Sequence, residues 1–400
     1  MRVSRLVSDL VKKIALYITH PTQYHSPWFK ALADRGEIDM HVYYGSLPNA
    51  QQQGAGFGVQ FEWDVPLLEG YPNTVLTNIG SGSISDFSGI DAPEIESTIE
   101  KGNYDAWVIN GWRTRGEWRA IKACYAKGVP MFIRGDSTLL DQRPLAKRVA
   151  KHLLYRRWIP RFACYLTVGE LNERYYEHYG ADPARFVPVR HFVDNGLFAR
   201  MAEESRANRA ALRQSWNIEN GALTLLFAGK FIAKKQPMDA IRAIEQATAS
   251  GSKIHLVMVG DGPLRAECES YATSRNLPVT FAGFFNQQAM PSAYAASDIL
   301  VMTSVRDETW GLVVNEAMAA GIPAIVSDKV GCAPDLVIPG ETGSVYPAGD
   351  YSALASVIAD YAANKTRVHD EGAAANARVQ QYSLDAAVTN TIAAAERFAA

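Results

Sequence analysis

Ile299-Leu-Val-Met302 runs through Thr-Ser-Val-Arg-Asp into Glu308-Thr-Trp-Gly311-Leu-Val-Val-Asn-Glu316-Ala-Met-Ala-Ala-Gly321-Ile-Pro323. Four consecutive apolar residues read as a strand buried on both faces. From about 312 to 320 the pattern turns helical, Gly321 supplies a left-handed stop, and Pro323 prevents continuation. A strand that feeds a helix through a polar loop is half of a βαβ unit, and in an open parallel sheet a phosphate-bearing ligand sits at such a junction. Two carboxylates occupy it, Glu308 in the loop and Glu316 on the helix. Glu316 is placed to accept two hydrogen bonds from a diol such as ribose, and Glu308 to hold a hydroxyl of a second ring. Alone, such a pair also reads as one helix-terminal charge and one surface charge. The preceding strand, Gly311 and the Gly-Ile-Pro exit favour the ligand.

The same grammar extends in both directions. Strands are predicted over 223–227, 254–259, 279–282 and 324–327, each followed by a helical pattern, and in the first half over 14–18, 40–44, 106–109, 131–133 and 165–168. After the first strand, Ser26 is expected to cap a helix with Pro27 at its first position, and Gly36 to close it. Residues 46–61, rich in Gln and Gly, read as an exposed loop. His191-Phe-Val-Asp-Asn-Gly196 has the turn chemistry of a hinge, so the expected division is 1–195, 196–380 and a terminal helix over 381–400 that packs back on the first domain.

At 400 residues, 48% of them hydrophobic and 20% charged, the chain exceeds one ordinary core. A net charge of −2 excludes the basic balance of a dedicated nucleic-acid binder. Cys124, Cys164, Cys268 and Cys332 form no Cys-x-x-Cys pair, which points to a reducing compartment. The N-terminal apolar run 14–18 is too short for a secretory signal core. A cytoplasmic location is expected, with one qualification. From Arg143 to Arg161 there are Arg143, Lys147, Arg148, Lys151, Arg156, Arg157 and Arg161 and no acidic residue, interleaved with Leu145, Val149, Leu153, Leu154 and Trp158. That is a basic amphipathic helix, suited to an anionic membrane surface or simply to solvent.

The 308–323 stretch resembles the E-x7-E signature of the family 4 retaining glycosyltransferases of GT-B fold. Four further stretches are similar to that family in order: Phe227-Ala-Gly-Lys230-Phe-Ile-Ala-Lys-Lys235, Val259-Gly-Asp-Gly-Pro263, Ala282-Gly-Phe284, and Val330-Gly-Cys-Ala-Pro-Asp-Leu336 with Gly340-Glu-Thr-Gly343. The resemblance implies two Rossmann-like α/β domains facing across a cleft, with the donor bound by the second. It implies that Glu316 binds the donor ribose, that Glu308 contacts the donor sugar, and that Lys230 and Lys235 meet the diphosphate. Gly229, Gly283, Phe284, Thr309, Gly311 and Leu312 would complete the donor pocket. Two cations after a strand suit charge developing on a departing nucleoside diphosphate. Lys234 stands in register to replace Lys235.

In the first half, His20-Pro-Thr-Gln23-Tyr-His25 stands where many relatives carry a glycine-rich loop. His20 is a catalytic candidate, and Gln23 and His25 are candidates for acceptor or phosphate contacts. Arg134-Gly-Asp136 falls where relatives often place a His near the reacting sugar, so Asp136 is a catalytic candidate and Arg134 a cleft candidate, with an Arg–Asp ion pair as the plain alternative. His191 at the hinge is a further cleft candidate. The expected reaction is retaining transfer of a hexosyl group from a UDP- or GDP-linked sugar to a glycan or lipid-linked hydroxyl in polysaccharide or glycoconjugate biosynthesis. The nucleotide sugar is a co-substrate, and no cofactor is expected. No Asp-x-Asp occurs, so no metal is expected either. A nucleotide-sugar epimerase of the same fold or a non-catalytic nucleotide-sugar binder are the alternatives. A dinucleotide-dependent oxidoreductase fits poorly, because Gly54, Gly56 and Gly58 follow polar Gln51–Gln53 and lack G-x-G-x-x-G spacing.

Overall fold

The computed structural model describes residues 11–84, 86–140, 144–249 and 251–400. It divides into two compact units. One takes the chain up to Gln52, Pro66–His191 and Leu384–Ala400; the other takes Gln53–Val65 and Phe192–Ser383. The chain therefore changes unit at 191/192 and 383/384, a few residues from the positions expected, and 53–65 is an excursion the sequence reading did not separate.

The first unit is built on a parallel sheet: β1 Lys13–Ile18, β2 Asp39–Tyr44, β3 Asn73–Val75, β4 Ala106–Ile109, β5 Met131–Ile133, β6 Cys164–Leu166 and β7 Phe186–Val187, in the order β3-β2-β1-β4-β5-β6-β7. Its central strands are apolar runs because helices cover both faces. Ala15, Tyr17, Trp107, Ile109 and Ile133 form one core with Ile95, Ile121 and Tyr165. The order reverses beside β1, which opens a crevice at the carboxyl ends of β1 and β4. The helix after β1 runs His25–Arg35. Ser26 does not cap it: its Oγ donates to Thr22 O at 3.0 Å and Leu67 O at 2.7 Å, while Thr22 Oγ1 accepts the His25 N–H. Gly36 closes the helix in the left-handed conformation, as expected.

The terminal helix, Leu384–Phe398, belongs to this unit and buries Ala387, Val388, Ile392, Ala394 and Ala395. Asn390 Nδ2 donates to Pro188 O at 2.8 Å. The predicted basic helix spans Leu145–Trp158 and has no buried residue; Arg143 lies outside the described residues.

The second unit holds β8 Leu223–Ala228, β9 Ile254–Val259, β10 Val279–Gly283, β11 Ile299–Met302, β12 Ala324–Ser327 and β13 Gly343–Tyr346, all parallel, in the order β10-β9-β8-β11-β12-β13. Here the reversal falls between β8 and β11. The loops after these two strands, 229–236 and 303–311, are thus neighbours: Val305 N–H donates to Lys234 O at 2.9 Å and Thr303 Oγ1 to Lys235 O at 2.7 Å.

Candidate active site

The loops after β8 and β11 carry the cationic and acidic side chains into one cluster. Lys235 pairs with Glu308 Oε2, which also accepts from Ser304 Oγ at 2.9 Å. Lys234 Nζ instead donates to the Asp307 carbonyl at 3.0 Å, so the two adjacent lysines are engaged differently. Gly331 N–H donates to Glu308 O at 2.9 Å, and the backbone at 308 bridges to Val330. That fixes the loop whose next residue is Thr309.

Gly311 opens the Leu312–Ala319 helix at φ +105°, where a Cβ would also lie 2.9 Å from Met302 Sδ. Only glycine satisfies both conditions. Leu312 is then the first helical residue, and Glu316 lies one turn further along, 4% exposed. Its Oε2 accepts a hydrogen bond from Tyr294 Oη at 2.6 Å. Tyr294 comes from the Met290–Ala296 helix and was not a sequence candidate. Its signal, one tyrosine in a small-residue helix, was indistinguishable from core packing.

Lys230, directly after Gly229, is half-buried, and burial together with the charges of Lys234 and Lys235 holds its ammonium below the ordinary lysine value. Its Nζ donates to Ala55 O at 2.6 Å and lies 4.7 Å from the Phe57 ring centroid. Here the expectation of a plain exposed loop over 46–61 is corrected. Phe57 and Phe61 lie 5.0 and 4.6 Å from the Phe284 ring, and Asn286 Nδ2 donates to Glu62 O at 2.7 Å. The segment is held because its aromatics, Phe57, Phe61 and Trp63, find apolar partners despite the polar glutamines before them. Gly283, just before Phe284, accepts the Gly260 N–H at 2.8 Å.

The other candidates lie in the first unit. His20 Nδ1 is 2.9 Å from Thr19 Oγ1, and Gln23 is buried. Arg134 follows β5, is 2% exposed, and reaches His25 Nε2 at 3.5 Å and His191 Nδ1 at 3.4 Å. Asp136 is exposed, and its charge acts on Arg134. The structure thus gathers His25, Arg134 and His191 in one unit, and Lys230, Lys235 and Glu308 in the other.

Comparison with known proteins bears on both units. The family description "Glycosyl transferases group 1" matches residues 208–378. A D-inositol 3-phosphate glycosyltransferase of Streptomyces scabiei is 31% identical over 97% of this chain and 91% of that protein. The chain belongs to the group 1 glycosyl transferases. Another relative, a GDP-mannose-dependent α-(1-6)-phosphatidylinositol dimannoside mannosyltransferase of Mycobacterium tuberculosis, is 30% identical over 48% of this chain and about half of its own length, 51%. Among solved structures, Anabaena HepE with UDP and glucose has a TM-score of 0.69 at 17% identity, covering 95% of this chain and 98% of that one. Sucrose-phosphate synthase of Thermosynechococcus elongatus has 0.66 at 20%, covering 95% and 97%. The fold of this group 1 glycosyl transferase is GT-B. The family match falls wholly within the second unit, where Lys230, Lys235, Glu308 and Glu316 stand.

Proposed function

We propose that this group 1 glycosyl transferase moves a hexosyl group from a UDP- or GDP-linked sugar to a hydroxyl of a glycan or lipid-linked acceptor, with retention at the anomeric carbon. The observation that carries the reading is the Lys235–Glu308–Ser304 cluster at the switch point between β8 and β11. It combines a cation for the departing diphosphate with a carboxylate for the sugar hydroxyls, and the buried Glu316 waits on the adjoining helix for the ribose. Lys230 and Lys235 take up charge as the glycosidic bond to the diphosphate breaks, helped by the N-terminus of the Leu312–Ala319 helix. No carboxylate is assigned as a covalent nucleophile. The acceptor hydroxyl attacks from the face the diphosphate leaves, and its proton passes to the departing phosphate oxygen. Anomer-resolved NMR of the product tests retention, and an inverted product overturns it. Thermal unfolding with UDP, GDP, ADP and NAD tests the donor. One nucleoside diphosphate raises Tm by several degrees, whereas stabilisation by NAD alone, or by none of the four, overturns the reading.

Lys230 gives the donor affinity a pH signature. The diphosphate binds the ammonium form, so affinity is full below the Lys230 pKa and falls as pH rises through it. Because that pKa is lowered, the fall begins at less alkaline pH than an ordinary lysine would set. The folding term has the opposite sign: the unfolded chain holds this proton to higher pH, so in the same window Lys230 adds stability as pH rises. Lys230→Arg, charged throughout, flattens the affinity profile measured by calorimetry between neutral and alkaline pH.

We also propose that the Leu145–Trp158 helix rests on an anionic membrane at the cytoplasmic face. Its Leu145, Val149, Leu153 and Leu154 are exposed, Leu145 and Leu153 by 72% and 70%. Lys147, Arg148, Arg156 and Arg157 alternate with them. Among the described residues no helix is long and apolar enough to cross a membrane. Lys151 is engaged by the rings of Tyr155, Tyr175 and Tyr179 at 4.9, 4.9 and 5.5 Å, so the clean test leaves it alone. Each basic side chain at an anionic surface contributes about 1 kcal/mol, so reversing Lys147 and Arg148 lowers partitioning into phosphatidylserine-containing vesicles at least about tenfold. Unchanged sedimentation with vesicles removes the membrane contact.

A further inference from the structure

Of the three lysines in the loop after β8, Lys235 pairs with Glu308 and Lys234 donates to the Asp307 carbonyl. Among the described residues Lys230 has no carboxylate partner. Its Nζ meets the Ala55 carbonyl at 2.6 Å and the face of the Phe57 ring, 4.7 Å from the centroid. Both partners come from segment 53–65, which belongs to the second unit. The segment is shaped to present them. Phe57 N–H donates to Gly54 O at 2.9 Å, closing a turn. Gly56, between the two partners, has φ +84°, and a Cβ there would lie 3.3 Å from Lys230 Nζ, so a glycine leaves the ammonium its room. Beyond the turn, Phe57 and Phe61 rest on Phe284, and Trp63 lies 4.9 Å from Phe61. Polar contacts tie the far end: Asn286 Nδ2 donates to Glu62 O at 2.7 Å, Gln288 N–H to Asp64 Oδ2 at 3.1 Å and Gln288 Nε2 to Asp64 O at 2.5 Å. The loops after β8 and β10 thus grip one segment.

A carbonyl dipole and a ring quadrupole attract an ammonium without cancelling its charge. An ammonium carries three N–H donors, and Ala55 takes one. Lys235, by contrast, is already matched by a carboxylate. Lys230 is therefore held in place yet not neutralised, which suits a cation that must receive a diphosphate. Its flexible stem is pinned beforehand, so less ordering remains to be done on binding. We propose that Phe57, assisted by the Ala55 carbonyl, is a positioning residue for Lys230, which makes segment 53–65 part of the donor site and a determinant of its affinity for a nucleoside diphosphate. The link to the donor rests on the reading that Lys230 meets the diphosphate; the hold on Lys230 rests on the contacts alone.

Two measurements separate these ideas. The first needs no nucleotide. In the full chain labelled with ¹³C-lysine, the Hε resonances of Lys230, identified by their loss in Lys230→Arg, are expected upfield of those of the other lysines because of the Phe57 ring. In Phe57→Leu they should return among the rest. Lys230 Hε at the ordinary position in the unmutated protein overturns the hold. The second is calorimetry with UDP and GDP. Phe57→Leu, which keeps an apolar side chain against Phe284, is expected to weaken binding of the matching nucleotide by about three- to thirtyfold. Phe57→Tyr, which keeps the ring face, should retain the affinity. In a Lys230→Met background Phe57→Leu should cost nothing further, because the residue it positions is gone. Full affinity in Phe57→Leu, an equal loss in the Lys230→Met background, or failure of Phe57→Tyr to retain binding overturns the positioning role. Shifted Hε resonances with no binding of UDP or GDP, or with binding that Lys230→Met leaves unaltered, support the hold and overturn the donor reading of Lys230 instead.

Discussion

Glu316→Gln should lower kcat/KM for the nucleotide-sugar donor by about a hundred- to a thousandfold and abolish stabilisation by the matching nucleoside diphosphate. Two hydrogen bonds from a ribose diol to a carboxylate contribute about 1.5–3 kcal/mol each, and the amide keeps one acceptor at best. The fold should survive. The glutamine oxygen can still accept from Tyr294 Oη, whereas Glu316→Ala removes that buried acceptor and opens a void, and should lower Tm by several degrees. Comparing the two variants separates binding from stability. Tyr294→Phe, which frees the carboxylate to turn, should cost about tenfold in donor KM with little effect on kcat. Calorimetry with UDP and GDP reads all three, and an unaltered donor affinity in Glu316→Gln would remove Glu316 from the donor pocket.

Lys235→Met should reduce kcat by about a hundred- to a thousandfold, the scale seen when one preorganised group is taken from a developing negative charge. The cause is double. On the proposed mechanism the departing diphosphate loses a cation, and among the described residues Glu308 keeps Ser304 alone as a hydrogen-bonding side chain while remaining largely out of solvent. Lys235→Arg should recover much of the rate if charge is what matters, less if the fork cannot enter the space beside Glu308. The decisive measurement is a double-mutant cycle with Glu308→Gln. Groups that act as one unit are non-additive, so the double variant should be little worse than the poorer single one. Additive losses would mean that lysine and glutamate serve separate steps. Lys234→Met is the comparison: its ammonium engages a backbone carbonyl, so it should cost no more than about tenfold.

The sheet strands were legible where they are buried on both faces, because a continuous apolar run leaves little else to choose. β4, β5, β9, β11 and β12 coincide with the runs read from sequence. β3, β7 and β13 were not read at all, being two to four residues long and flanked by Gly or Pro. The junction between β11 and its helix was legible because Gly311, Gly321 and Pro323 each have a backbone reason to stand where they do. The meeting of His25, Arg134 and His191 was not. The three residues are far apart in the chain, and only the order of the strands brings their loops together. Likewise, Gln and Gly composition set residues 46–61 down as loop, and nothing local revealed that Phe57 and Phe61 would settle on Phe284.

The terminal helix imposes an order of assembly on synthesis. The first unit has its sheet complete by Val187, yet Val388, Ile392 and Ala395 of the Leu384–Phe398 helix are among its buried residues. Translation adds about 5–20 residues per second, so roughly ten to forty seconds separate emergence of that sheet from emergence of its last helix. During that interval the nascent amino-terminal unit exposes an apolar face to the ribosome's surroundings, and the later-made unit, complete at Ser383, has all of its own segments before that helix is made. The part of the protein made first is the last to close.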